Sequence, residues 1–124
     1  MEERDVLRKT VIGAAIEVHK TLGPGLLESA YEECLCFELQ QLGLTVRRQV
    51  PISVVYKSIR LDQGYRIDLL VNERLIIEIK TVDKIIPVHE AQLLTYLKLS
   101  GIKTGLLLNF QVALLRDGLK RMVL

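Results

Sequence analysis

The sequence predicts a mixed α/β fold, with a central mixed sheet flanked by helices. Three observations carry that expectation. The hydrophobic period switches from helical to alternating near Val46 and back to helical near Val88. Glycine closes each helical stretch, at Gly23, Gly43 and Gly101. The apolar run Gly105-Leu-Leu-Leu-Asn109 has the character of a buried strand.

Taken in order, residues 5–20 set Val11, Ile12, Ala15 and Ile16 at helical spacing, and Leu22-Gly23-Pro24-Gly25 should end that helix. A second helix is expected from Leu26 to Leu42. Strands follow at Val46–Tyr56, Ile59–Val71 and Leu75–Lys80, joined by tight turns at Lys57-Ser58 and around Asn72-Glu73. A third helix spans Val88–Ser100. Beyond Gly105–Asn109, the segments Val112–Leu115 and Leu119–Val123 flank Asp117-Gly118 and read as a C-terminal hairpin. The order is α-α-β-β-β-α-β-β-β, with αβββαβ in its middle, an extra N-terminal helix and the C-terminal hairpin.

The 124 residues suit a single domain that buries about two-thirds of its unfolded surface. No apolar run approaches the ~20 residues that span a bilayer. The charged start, MEERDVLRKT, is unlike a signal peptide, so a cytoplasmic protein is expected. A net charge of +2 is too small to argue for nucleic acid, although Arg47-Arg48 and Lys120-Arg121 leave room for a basic face. Cys34 and Cys36, two apart on a helix, point away from each other and neither bridge nor share a metal.

The stretch GYRIDLLVNERLIIEIKTVD carries Asp68, Glu78 and Lys80. A two-residue loop at Asn72-Glu73 would oppose Asp68 to Ile77. A three-residue loop, Asn72-Glu73-Arg74, opposes it to Glu78 instead. The second register gathers Ile67, Leu69, Val71, Leu75, Ile77 and Ile79 on one apolar face. Arg66, Asp68, Leu70, Ile76, Glu78 and Lys80 then share the other. A one-residue slip would bury charge, so the second register should win. Opposed carboxylates repel. A hard divalent cation would neutralise them and use their oxygens, with Lys80 in reach of a bound phosphate. The plain alternative is a salt-bridged strand face.

Glu28 falls between Leu35 and Leu39 on the helical wheel, on the stripe expected to face the sheet, with Glu32 near its edge. A favourable helix dipole is the simpler explanation of an acid there. His89, Gln92 and Tyr96 share one face of the third helix, where Gln92 and Tyr96 could reach a phosphate, a base edge or the acids; a helix with a polar edge is the plainer reading. His19 reads as a helix-terminal histidine rather than a ligand.

Gly25-Leu-Leu-Glu28-Ser-Ala-Tyr31 reads G-x-x-E-x-x-Y. With YRIDLLV, IIEIK, VHEAQLLTYLK, GLLLNF and GLKRMV, it resembles the bacterial GxxExxY protein family from about residue 8 to the end. That family looks like a small branch of the PD-(D/E)XK nuclease superfamily, whose restriction-endonuclease-like core is αβββαβ. The resemblance implies a metal-binding aspartate at Asp68, the E-x-K pair at Glu78 and Lys80, and the leading-helix acid at Glu28. Gln92 and Tyr96 resemble a substrate-positioning Q-x-x-x-Y element. The sequence departs from the superfamily's name at Ile67, where that name would put proline.

The resemblance implies a Mg²⁺- or Mn²⁺-dependent nuclease acting on nucleic acid, with DNA as the expected substrate. Asp68, Glu78 and the backbone carbonyl of Ile79 would hold the metal, with Glu28 as a direct or water-mediated ligand. Two other readings stay open: a non-catalytic nucleic-acid-binding module, with Tyr31 and Tyr96 as its nearby aromatics, and a protein-interaction module. A homodimer would widen the groove of so small a chain.

Overall fold

Two helices open the chain, α1 (Glu3–Leu22) and α2 (Glu28–Gln41). The computed structural model describes residues 3–62 and 64–124. Met1 and Glu2 of the expected charged start, and Gln63 of the expected strand Ile59–Val71, lie outside the described residues. The strands are β1 (Val46–Pro51), β2 (Val54–Tyr56), β3 (Ile59–Leu61), β4 (Arg66–Val71) and β5 (Leu75–Lys80). Helix α3 (Pro87–Ser100), β6 (Thr104–Asn109), a 3₁₀ turn (Leu115–Gly118) and β7 (Leu119–Val123) complete the chain.

Five strands form one mixed sheet in the order β1-β4-β5-β6-β7. Among the described strands only β5 and β6 run parallel, as they must when α3 carries the chain across between them. Helices α1 and α2 cover one face, where Val11, Ala15, Leu35 and Leu39 pack with Leu69, Val71, Ile77, Ile79, Leu106 and Leu108. Helix α3 covers the other, where Leu93, Tyr96 and Leu97 meet Leu70, Ile76 and Leu107. The embedded α2-β1-β4-β5-α3-β6 order is the αβββαβ core expected from periodicity. This is a mixed α/β architecture consistent with a restriction-endonuclease-like fold.

Three sequence expectations need correction. The long strands Val46–Tyr56 and Ile59–Val71 are each broken in two, so β2 and β3 form a separate two-stranded arm. Pro51 lacks a backbone donor and Gly64 takes φ 86°, which together end the flat ladder there. Second, Val112–Leu115 is not a strand. Leu115 is buried in the α1/α2-side core, and β7 pairs antiparallel with β6 instead. Gly118 has ordinary φ, but a Cβ on it would strike the Asn109 carbonyl oxygen, so its glycine serves close approach rather than a hairpin turn. Third, Ile67 leaves the alternation and joins the α3-side core.

The turn that sets the acids follows the three-residue register, with Val71↔Leu75 and Leu69↔Ile77 as partners. Asn72 and Glu73 both take left-handed φ, at 52° and 55°, without a glycine. Two bonds to the residue just before β1 compensate. The Asn72 amide donates to the Thr45 carbonyl (2.8 Å), and the Thr45 amide donates to Asn72 Oδ1 (2.8 Å).

Candidate metal and phosphate site

The β4–β5 ladder stops at Leu69↔Ile77, one step short of the acids. Past it, side chains take over the backbone's hydrogen bonds. The Asp68 amide donates to Glu78 Oε1 (3.2 Å), and the Ile79 amide donates to Asp68 Oδ2 (2.8 Å). The two carboxyls are thereby held in the fork where the strands part. Glu78 is only 4% exposed. Burial, followed by the charge of Asp68, pushes its carboxyl up to about 8, against the weaker opposing pull of the Asp68 amide and Lys80. Burial likewise raises Asp68, opposed by the Ile79 amide, and the charges of Glu32 and Glu28 add to the rise.

Lys80 Nζ donates to Gln92 Oε1 (3.1 Å), and Gln92 Nε2 donates to the Tyr96 hydroxyl (3.2 Å). A polar chain thus runs from the end of β5 onto α3. Tyr96 is mostly buried, and burial, then the charge of Glu78, raises its hydroxyl. His89 does not share that chain. Its Nδ1 accepts from the Ile86 amide (3.1 Å) and caps the start of α3.

Glu28 is solvent-exposed rather than aimed into the sheet, because it opens α2 at the sheet's end. Its Oε2 nevertheless accepts from the Thr81 amide (3.3 Å), directly after Lys80. The buried acid of the stripe is Glu32, at 6% exposure. Tyr31 is fully buried and cannot stack on a base. Its ring stacks on Phe110 at 4.4 Å, while its hydroxyl donates to the Gly23 carbonyl (2.5 Å) and accepts from the Leu26 amide (3.1 Å). The G-x-x-E-x-x-Y motif is therefore a knotted loop that presents Glu28 at the first turn of α2. His19, as expected, is structural: its Nε2 bonds the Val112 carbonyl oxygen (2.8 Å).

A family model of the PD-(D/E)XK nuclease superfamily matches residues 5–122. The chain belongs to that superfamily. No curated protein and no solved structure matches the chain significantly. PD-(D/E)XK nucleases commonly use divalent metals. Among the described residues, no three His, Cys, Asp or Glu side chains converge as a ready-made ligand set. The donor chemistry that is present still fits a hard cation. Two carboxyls share one fork, burial raises both, and the charge of Asp68 further disfavours ionisation of Glu78. No helix among the described residues is long and apolar enough to cross a membrane.

Two neighbours of a PD-(D/E)XK fork were not singled out from the sequence. Gln49, in edge strand β1, takes left-handed φ of 51° opposite Asp68, where the β1–β4 pairing skips a step between Arg48↔Leu69 and Val50↔Ile67. Its Nε2 donates to Glu32 Oε1 (2.6 Å) and to Asp68 Oδ1 (3.3 Å). Nothing in Val-Arg-Arg-Gln-Val marks that kink. Asn109, 1% exposed, fastens the loop after Lys80: its Nδ2 donates to the Val82 carbonyl (2.8 Å) and its Oδ1 accepts from the Val82 amide (3.1 Å). A polar residue ending the run Gly105-Leu-Leu-Leu was its available signal.

Proposed function

We propose that this chain is a Mg²⁺- or Mn²⁺-dependent nuclease of the GxxExxY branch, hydrolysing phosphodiester bonds of nucleic acid, with DNA as its substrate. One observation carries the reading. Burial raises the carboxyls of Asp68 and Glu78 in one fork, and the charge of Asp68 raises Glu78 further, with Lys80 as the cation that opposes it. Such a pair is costly to keep unless a cation completes it.

Asp68, Glu78 and the Ile79 carbonyl would hold the metal, and Glu28 would reach it directly or through water. A bound Mg²⁺ or Mn²⁺ supplies Lewis acidity and positive charge at the scissile phosphate. Lys80 offsets charge developing on the phosphate oxygens. Gln92 holds Lys80 in direction, and Gln92 with Tyr96 positions the strand. A second copy of the chain would widen the groove. The free thiols Cys34 and Cys36 fit a reducing compartment such as the cytoplasm.

The test is a nicking assay on single- and double-stranded DNA with Mg²⁺, Mn²⁺ or chelator. Metal-dependent cleavage that Asp68→Ala abolishes is the expected result. Equal cleavage by Asp68→Ala and wild type would sink the proposal. Salt-dependent binding without cleavage would move the assignment to a catalytically silent nucleic-acid-binding module.

A further inference from the structure

From the geometry around Asp68 we infer that Gln49 and Glu32 form a positioning pair, setting the direction in which the Asp68 carboxylate faces the metal. The inference rests on the reading of Asp68 as a ligand. Gln49 has one side-chain nitrogen, and its two hydrogens serve two acceptors, Glu32 Oε1 and Asp68 Oδ1. A flipped amide would turn its oxygen onto both carboxylates, so their charges fix its orientation.

Glu32 is in turn held from its other side. Arg48 Nε and Nη2 both lie 3.1 Å from Glu32 Oε2. With one oxygen on Gln49 and the other on Arg48, Glu32 is committed and charge-compensated, which makes it a support rather than a ligand. Asp68 then receives Gln49 on Oδ1 and the Ile79 amide on Oδ2. A carboxylate gripped at both oxygens cannot rotate, and each oxygen keeps a lone pair for a cation.

The backbone strengthens the inference. Gln49 sits at φ 51° in the middle of a strand, a conformation uncommon outside glycine, asparagine and aspartate. It occurs at the single β1 position opposite Asp68, where a regular strand would continue the ladder. Left-handed backbone at a candidate site is a conformation the surroundings must hold in place.

The same backbone gives a clean experiment. Gln49→Gly removes the amide but suits the left-handed φ, so the metal-free melting temperature should stay near that of wild type. Two readouts follow. By calorimetry, Mn²⁺ should bind Gln49→Gly about ten-fold or more weakly, as expected for loss of an orienting partner. By hydrogen exchange without metal, the Ile79 amide should exchange on the order of ten-fold faster, with Leu106 and Leu107 unchanged. Glu32→Gln, which keeps an acceptor for Gln49, should fall between the two proteins in both. Unchanged Ile79 exchange in Gln49→Gly would overturn the positioning role, whatever the metal does. If wild type fails to bind Mn²⁺, the metal reading falls, and the exchange result still decides whether Gln49 holds Asp68.

Discussion

Glu78 is raised from 4.5 to about 8, so the folded, metal-free chain favours its protonated form. For a carboxyl shifted this way, the stabilisation is full below its unfolded value and is lost as pH rises through the folded one. The metal-free protein should therefore lose stability between pH 4.5 and about 8, at a limiting rate of about 1.4 kcal/mol per pH unit. Melting temperatures measured in chelator across that range check this. Glu78→Gln, neutral throughout, should flatten the profile and melt above wild type at the alkaline end. Added Mn²⁺ should raise the wild-type melting temperature more at high pH than at low pH, and should leave Glu78→Gln nearly unmoved. A wild-type profile as flat as that of Glu78→Gln would refute the argument. Lys80 makes a separate prediction under the proposed function, because its Nζ donates to Gln92 and its proposed role is at the phosphate rather than the metal. Lys80→Ala should cost roughly 10²–10³-fold in cleavage rate while Mn²⁺ affinity, followed by calorimetry, holds. An equal loss in both would assign Lys80 to metal binding.

At the scale of elements, two glycines separate rigid from yielding contacts. A Cβ on Gly105 would come within 2.9 Å of Leu93 Cδ1, the movable end of a side chain on α3. On Gly118 it would strike the backbone oxygen of Asn109, which cannot retreat without disturbing the Val82 clamp. Gly105→Ala should then cost about 1 kcal/mol and Gly118→Ala about 3 kcal/mol or more, read from urea midpoints. Comparable midpoints would contradict that ranking. These residues also mark what the sequence made legible. The register around the acids was readable, because alternation from Leu69 to Ile79 leaves one pairing that keeps the apolar set on one face and Asp68 and Glu78 together on the other. Asp117-Gly118 was misread as a turn because glycine answers two needs, left-handed backbone and close approach, and local sequence does not separate them. The breaks at Pro51 and Gly64 had ordinary signals: Pro51 was masked by Val50 and Ile52 on either side, whereas Gly64 follows the polar pair Asp62-Gln63 and was open to reading as a turn. Gln49 had none, since its conformation is imposed by partners 17 and 19 residues away. The placement of the candidate residues was therefore readable where hydrophobic patterning fixed it and opaque where a tertiary contact did.

The whole molecule carries 17 Lys and Arg against 15 Asp and Glu, a net charge of +2 that ion pairing leaves unchanged. The two clusters that left room for a basic face are largely neutralised. Arg47 meets Glu73 at 2.9 Å, Arg48 meets Glu32 at 3.1 Å, and Lys120 lies 3.8 Å from Glu90. On the β2–β3 arm, Arg60 is paired with Asp62 at 2.8 Å. Close to the fork, Lys80 and Arg66 stand outside those pairs and are the cations placed to meet a phosphate backbone there. Each phosphate neutralised contributes about 0.9 to the slope of log affinity against log salt, so two or three contacts give roughly −2 to −3. Anisotropy of a labelled duplex titrated with Asp68→Ala, over a several-fold range of salt, measures that slope without cleavage. Two copies acting together should double it to roughly −5, with a stoichiometry of two chains per duplex. A slope near −10 would mean that cations well beyond the fork meet the phosphates, and loss of slope in Arg47→Ala and Arg48→Ala would show that the surface ion pairs open on contact with DNA. In that case the charge the fold has paired would become the binding surface, and Arg47 and Arg48, rather than Lys80, would be the residues whose removal shallows the slope.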